Sequence, residues 1–224
     1  MPFSLFNCEQ VDFIGAEQFK EVTHHQKISA SVVCVYIRFL YDQVLLPNNL
    51  AERFCFLSPV KLNIYETKQS QFISDALSAN ENPNRIFSTP YNCGGHWVLI
   101  VINASDASIT YYDSMRGDPR TYTAMKNLFD SGLMTYRAQR EHVLPKKKSN
   151  TINWSSVKCP HQMNDVDCGY YVLRYMRSLI LYELPHPVDK DAYDLSCNFF
   201  SQDQVDEIRE EWSSYVLQNF IMNK

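Results

Sequence analysis

The feature that most constrains this chain is a hairpin pattern near its middle. WVLIVI at 97–102 is a short apolar run, typical of a strand buried on both faces. NASDAS at 103–108 supplies turn residues, and SITYYDS at 108–114 is β-branched and aromatic. The two runs predict an antiparallel hairpin, around which the remaining segments must pack.

Helical patterns precede and follow this hairpin. Residues 28–43 carry apolar side chains at helical spacing, and a weaker helical stretch runs from Ser58 to about residue 80. After the hairpin, 120–131 predicts a helix that ends at Gly132, placed at its C′ position. Residues 133–159 indicate short strands and loops, with Trp154 as their anchor.

The last two elements are also predicted to be helices. An apolar segment begins at Cys168 and continues to about Glu183, which indicates a central, buried helix. Near the C-terminus, Ser201 and Gln204 form a capping-box pattern ahead of an amphipathic segment. We expect its buried stripe to comprise Val205, Ile208, Trp212, Tyr215, Val216 and Phe220.

These elements predict an α+β fold in one domain over residues 1–224. We expect an N-terminal helical part at about 10–80, a sheet and functional core at about 85–182, and a C-terminal helix at about 202–221. No internal repeat, linker or composition shift indicates a second domain. A monomer is the simplest expectation.

Composition excludes several classes of protein. The net charge is −4 and the isoelectric point about 5.9, which offers no basis for sequence-independent nucleic-acid binding. The apolar runs are far shorter than the ~20 residues that span a bilayer, so no membrane partner is expected. The seven cysteines are irregularly spaced in mostly apolar segments, as reduced thiols are. We therefore expect a soluble intracellular protein, nuclear or cytoplasmic.

Cys168 is the first candidate for chemistry. It lies where a polar loop becomes a helix, and the positive end of a helix favours ionisation of a thiol. Gly169 follows it and has no Cβ, so other groups can approach closely. The alternative is a small, buried and inert thiol, as the other cysteines must mostly be.

His96 and Asp113 flank the predicted hairpin. His96 follows the glycines of NCGG and directly precedes the first strand, and Asp113 ends the second strand. If the strands pair with residue sums near 209 or 210, the two side chains are close to cross-strand neighbours. A carboxylate could then orient one imidazole nitrogen and leave the other for the thiol.

Gln162 is a candidate oxyanion donor because its loop could fold back over Cys168, and Asn164 competes for that role. His161 is a competing base, although no carboxylate in the sequence pattern would orient it. A zinc site built from Cys93, His96, Cys159 and His161 is a further alternative, but the C-x-H spacing is poor for structural zinc.

Taken together, GGHW (94–97), YYDS (111–114) and CPHQMNDVDCG (159–169) resemble the ubiquitin-like-protein-specific cysteine proteases, the SUMO-protease family, in its plant version. The resemblance is clearest at 85–182. It implies a papain-like fold, in which helices flank a central mixed or antiparallel sheet and the nucleophile starts a buried helix.

By this resemblance, His96 is the general base, Asp113 its orienting group, Gln162 the oxyanion donor and Cys168 the nucleophile. The substrate would be a ubiquitin-like modifier ending in Gly-Gly, with SUMO ahead of other modifiers. Residues expected to bind its C-terminus are Trp97, Gly95, Asp167 and Gly169. No metal or organic cofactor is implied.

Two positions depart from the family pattern. The region HQKISASVV lacks the tryptophan that relatives carry before the first core helix, and His161 replaces the glutamine or other residue common there. Two alternatives therefore stand beside a SUMO protease. One is a modifier-binding scaffold that keeps the fold without the activity, and the other is a protease for another ubiquitin-like modifier.

Overall fold

The computed structural model describes residues 3–6, 14–63, 68–80, 82–115, 122–145, 151–183 and 195–222. At its centre is one five-stranded sheet in the order β1-β2-β3-β4-β5. Its strands are β1 (Phe54–Phe56), β2 (Ile86–Asn92), β3 (Trp97–Asn103), β4 (Ser108–Tyr112) and β5 (Asn153–Ser156). The sheet is mixed, because β1 and β5 pair in parallel with their neighbours and the three central strands are antiparallel.

The predicted hairpin is confirmed as β3 and β4. Leu99 pairs with Tyr112 and Asn103 with Ser108, so paired residues sum to 211 rather than the expected 209 or 210. The difference arises because β3 extends one residue further, to Asn103, whose side chain accepts hydrogen bonds within the turn. This register places His96 and Asp113 as diagonal neighbours on one face instead of opposite each other.

Eight α-helices surround the sheet in the described residues. They are α1 (Phe3–Phe6), α2 (Ala16–Thr23), α3 (Ala30–Leu40), α4 (Pro59–Asn63), α5 (Gln69–Ser78), α6 (Thr123–Gln139), α7 (Cys168–Tyr182) and α8 (Gln202–Val216). Tyr41–Leu45 and Leu217–Ile221 continue α3 and α8 as π-helical turns. None of the helices in this part of the chain is long and apolar enough to cross a membrane.

Both faces of the sheet are covered, which explains the uninterrupted apolar run of β3. Trp97 and Leu99 face a core shared with α3, α7 and α8. Val98 and Ile100 face a second core, shared with α5 and α6. The expected burial of this strand on both faces is thus confirmed, and so is the α+β class with helices flanking a mixed sheet.

Three sequence predictions need correction. Gly132 does not end a helix: α6 continues to Gln139, because Leu133 and Tyr136 extend its buried face. The residues after Gly132 are therefore helical rather than strands and loops as far as Gln139. In the C-terminal helix, five of the expected apolar residues are buried, but Phe220 is 40% exposed, since the π-helical turn changes the spacing after Val216.

Other differences concern element boundaries. The single helical stretch predicted from Ser58 to about 80 is two helices, α4 and α5. Strands β1 and β2 were not individually predicted. Trp154, the expected anchor, is half-buried against the second core, and its Nε1 donates to Asp130 Oδ1 at 2.7 Å. The predicted helix start at residue 120 lies outside the described residues, as does the N-terminal segment at 10–13.

Candidate active site

Cys168 is the first residue of α7, the helix that runs through the first core. Cys168 is 3% exposed, and the residues after it are buried almost without interruption. The helix packs against β3 and α8, so it cannot shift without disturbing the core. The fold therefore holds one thiol rigidly at the positive end of a buried helix.

A tight turn positions His96 beside this helix start. The amide of Cys93 donates to the carbonyl of His96 at 2.7 Å, and the amide of Gly95 donates to Asn92 Oδ1 at 2.6 Å. Gly94 and Gly95 have φ values of 65° and 98°, which side-chain-bearing residues rarely adopt. The glycines thus allow β2 to reverse into β3 with His96 at the junction.

The imidazole of His96 is oriented by Asp113. Nε2 lies 2.7 Å from Asp113 Oδ1, and the side chains are 16% and 4% exposed. The other nitrogen, Nδ1, is buried and has no partner of ordinary hydrogen-bond geometry among the described residues. It is the ring atom left for Cys168, whose thiol interacts with this imidazole.

The pKa shifts of His96 and Cys168 favour an ion pair between the two side chains. Burial would lower the pKa of His96, but hydrogen bonds and charge interactions with Asp113 and the thiolate raise it to about 9. Burial would raise the pKa of Cys168, but the imidazole and backbone N–H groups of Trp97 and Gly169 lower it below its ordinary value. At neutral pH this favours thiolate and imidazolium.

Cys93 shows what burial does without such partners. It lies near the same turn, yet burial and the negative charge of Asp113 raise the pKa of its thiol to about 12. The two cysteines differ because only Cys168 has a cationic imidazole and helix N–H groups facing its sulfur. This contrast identifies Cys168 as the activated thiol of the pair.

Two further groups hold the carboxylate of Asp113. Tyr122, directly before α6, donates its hydroxyl to Oδ2 at 2.8 Å, and the amide of Met115 donates to Oδ1 at 2.9 Å. Tyr122 is 5% exposed. Sequence reasoning missed it because a tyrosine at a loop–helix junction carries no local sign of a partner nine residues away.

Gln162 lies close to the same strand end. The backbone N–H of Gln162 donates to the carbonyl of Ser114 at 2.9 Å, and the side-chain Oε1 of Gln162 accepts from the Ser114 hydroxyl at 2.5 Å. Nε2 donates to the carbonyl of Asn164 at 2.6 Å, which uses one of its two hydrogens. The loop before Cys168 is thereby attached to the end of β4, next to Asp113.

The four residues expected to bind substrate have different surroundings. Gly95 is exposed, with no atom near the position of a Cβ. Trp97 is 4% exposed, and its Nε1 donates to the carbonyl of Ile28 at 3.0 Å. Gly169 is covered by Ile28, and Asp167 is 6% exposed and hydrogen-bonded within the chain. Substrate contact by these residues stays a prediction.

The competing residues are placed differently from the central pair. The amide of His161 donates to the carbonyl of Asn198 at 2.9 Å. Cys159 is buried and its Sγ lies 3.6 Å from the carbonyl of Asp113. Within the described ranges, His, Cys, Asp and Glu side chains form no group of three or more that could hold a metal ion.

Comparison with protein families matches residues 26–217 to the Ulp1 protease family, C-terminal catalytic domain. The chain is also similar to the ubiquitin-like-specific protease ESD4 of Arabidopsis thaliana, with 31% identity over 91 residues. That match covers 39% of this chain and 17% of the relative, so it spans only a small part of the relative's length.

Solved structures share the fold. A SUMO protease Ulp1 with its catalytic cysteine oxidised to a sulfenic acid has a TM-score of 0.62 at 17% identity, covering 94% of this chain and 85% of that one. The Ulp1 protease domain in complex with SMT3, the yeast ortholog of SUMO, has 0.60 at 18%, covering 91% and 82%. The Xanthomonas campestris effector XopD bound to ubiquitin has 0.59 at 17%, covering 92% and 95%.

Proposed function

Because the chain belongs to the Ulp1 protease family, we propose that it is a cysteine protease that cleaves after the C-terminal Gly-Gly of a ubiquitin-like modifier. One observation carries the proposal. His96 is oriented by Asp113 at 2.7 Å, and its free ring nitrogen is left for a thiol whose pKa is lowered at a helix start. A buried thiol without a catalytic role needs none of these partners.

The proposed reaction proceeds through a thioester. The Cys168 thiolate attacks the carbonyl carbon of the terminal glycine, and the His96 imidazolium protonates the amine that leaves. Asp113 keeps the ring in place. Water, deprotonated by neutral His96, then attacks the thioester, which releases the modifier carboxylate and regenerates the thiol.

Backbone and side-chain donors would stabilise the tetrahedral intermediates. The first N–H groups of α7 have no partner within the helix and lie at the end that begins with Cys168, and the second hydrogen of Gln162 Nε2 is not used by Asn164. We assign Gln162 as the oxyanion donor, in preference to Asn164, whose side chain bonds to Asp167 and to two backbone amides.

The substrate class is proposed from the family and from the partners named for structural relatives. SUMO is the first candidate, because relatives are described as SUMO proteases and one is bound to a yeast SUMO ortholog. A relative bound to ubiquitin makes ubiquitin the second. Trp97 and Gly95 would line the path of the glycine pair, with Asp167 and Gly169 supporting it.

We also propose that the whole chain forms one catalytic domain and acts in the nucleus or cytoplasm. One core joins residues from Leu5 to Val216, which supports a single domain. The irregular spacing of the cysteines in mostly apolar segments supports a reducing compartment.

An activity-based probe tests the function. SUMO, ubiquitin and other modifiers, each with an alkyne or vinyl ester electrophile in place of the last glycine, are incubated with the protein. We expect a covalent adduct, detected by gel shift and mass spectrometry, with SUMO first among them. Cys168→Ala should form none, while Cys197→Ala, which changes an exposed cysteine, should react like the unmodified chain.

Two results would contradict the proposal. Equal labelling of Cys168→Ala would remove Cys168 as the nucleophile. Tight non-covalent binding of a modifier without labelling or cleavage, at saturating concentrations, would identify a binding scaffold instead.

A further inference from the structure

A second histidine–aspartate pair lies directly beside the nucleophile. His25, in the turn between α2 and α3, places its Nε2 2.6 Å from Asp167 Oδ1. Its ring packs edge to face with that of Tyr170, and the ring centroids are 5.3 Å apart. The side chains of the pair are 25% and 9% exposed. The sequence places these partners 142 positions apart, so no local pattern indicates the contact.

The backbone at His25 shows that this position is constrained. Its φ is +51°, in the left-handed region that only a few per cent of residues other than glycine adopt, with histidine, asparagine and aspartate the most frequent among them. Neighbouring backbone atoms are anchored as well: the Tyr170 hydroxyl contacts the carbonyls of Glu21 and Gln26. Residues held in this way occur where the surrounding structure demands a particular side-chain placement.

Asp167 occupies the N-cap position of α7, immediately before Cys168. An aspartate there ordinarily has extended backbone and accepts from the amides of the second or third helical residue. Here the backbone is helical, with φ −77° and ψ −6°, and the side chain takes no capping hydrogen bond. Oδ1 is occupied by His25, and Oδ2 accepts from Asn164 Nδ2 at 2.8 Å.

This arrangement matters for the thiolate. Gly169 is the second residue of α7, and its backbone N–H is one of the groups that lower the pKa of the Cys168 thiol. A capping carboxylate would compete for that amide and would place a second negative charge at the same helix end. His25 and Asn164 hold both carboxylate oxygens and so leave the amide to the sulfur.

We propose that His25 is a positioning residue for the active site: by holding the Asp167 carboxylate away from the first amides of α7, it keeps those amides for Cys168 and its reaction. The inference rests on the proposed function and deepens it. The same hydrogen-bond chain continues from Asp167 through Asn164 to Gln162, so His25 also steadies the loop that carries the oxyanion donor.

Alkylation of Cys168 tests the inference without any modifier. The rate of iodoacetamide attachment to the Cys168 peptide is followed by mass spectrometry from pH 5 to 10. His25→Gly suits this test, because glycine accepts the left-handed backbone. We expect its alkylation profile to move to higher pH and kcat for modifier cleavage to fall about tenfold, with KM little changed. His25→Gln, which restores a side-chain N–H donor, should recover most of both losses.

His24→Ala is the matched control, since His24 is the adjacent exposed histidine and its ring bonds only to Thr23 among the described residues. It should match the unmodified chain in every assay. Thermal unfolding of each variant is measured in parallel, and if His25→Gly does not fold, His25→Ala replaces it, because alanine also lacks a side-chain N–H donor and the chain already holds Ala107 at a φ of 45°.

The inference would be overturned if the alkylation profile of His25→Gly superimposed on that of the unmodified chain, even if activity fell. The two proposals fail separately. A chain that cleaves no modifier but shows the shifted alkylation profile loses the proposed function alone. A chain that cleaves a modifier normally, with no shift in His25→Gly, loses only the inference.

Discussion

His96 Nε2 lies 2.7 Å from Asp113 Oδ1, and the carboxylate is held on its other oxygen by Tyr122. The imidazole therefore cannot rotate without breaking a buried charge-assisted hydrogen bond. Its remaining nitrogen is directed to Cys168 as a consequence. The following predictions concern this geometry and the helix start on which it acts.

The pH dependence of kcat/KM should be bell-shaped. Activity requires thiolate and imidazolium together, so it rises as pH passes the lowered pKa of Cys168 and falls as pH passes about 9, where His96 loses its proton. Initial rates on a modifier–fluorophore substrate between pH 5 and 10 check this. A profile that still rises between pH 9 and 10 would contradict the ion pair.

Asp113→Asn should lower kcat at least about 100-fold. Burial lowers the pKa of His96, and without the carboxylate this effect is less opposed, so the alkaline limb should move below 9. The pH profile of the variant measures this shift. Asp106→Asn, an exposed turn aspartate joined to Asn103, is the control and should leave the profile unchanged.

Tyr122→Phe removes one hydroxyl from the far side of Asp113. A hydrogen bond to a charged group contributes about 1.5–3 kcal/mol, so we expect kcat to fall roughly tenfold or more. The ring should keep its place, because it packs edge to face against Tyr111, with the ring centroids 5.8 Å apart. Tyr182→Phe, at the exposed end of α7, should have no effect. Unchanged kcat in Tyr122→Phe would mean that Met115 and His96 suffice to hold the carboxylate.

Gln162→Ala should lower kcat by about 10²-fold and leave KM nearly unchanged, because an oxyanion donor acts on the transition state. Ser114→Ala should cause a smaller loss of kcat. It removes the hydroxyl that donates to Gln162 Oε1 but leaves the Gln162 Nε2 donor in place. Steady-state kinetics on one substrate compare the variants, with the exposed Gln71→Ala as control. A raised KM at constant kcat would instead place Gln162 in ground-state binding.

Gly169→Ala should disturb the site through packing. A Cβ there would lie 2.2 Å from Ile28 Cγ1 and 2.6 Å from Cδ1, so the turn before α3 must move. We expect unfolding free energy to fall by about 1–3 kcal/mol and activity to fall with it. Ile28→Ala removes both contacting atoms and should recover part of the loss when combined with Gly169→Ala.

Gly132→Ala in α6 provides the comparison, because its added Cβ would lie 2.6 Å from Ile73 Cβ in α5. It should lower stability by a similar amount while kcat stays unchanged. Chemical denaturation and kinetics on the same preparations separate the two effects. Equal losses of kcat in both glycine variants would show that the loss is one of general stability.

Short-range patterns predicted much of the fold. The apolar run and turn of 97–114 predicted β3 and β4, and the capping box at Ser201 predicted the start of α8. His96, Asp113, Gln162 and Cys168 could be selected because each lies at an element boundary or in a loop beside one. The helix through Gly132 was missed because a buried apolar face outweighed the glycine's weak preference for a helix end.

Sequence alone therefore determined the elements and the chemistry they offer, since strand alternation, helix caps and the placement of a thiol at a helix start depend on neighbours in the chain. Tertiary structure decided how these groups meet. The diagonal register of His96 and Asp113, the hydroxyl of Tyr122 on the carboxylate and the contact of His25 with Asp167 all join separate elements. Such contacts follow from packing against a shared core, which local patterns do not encode.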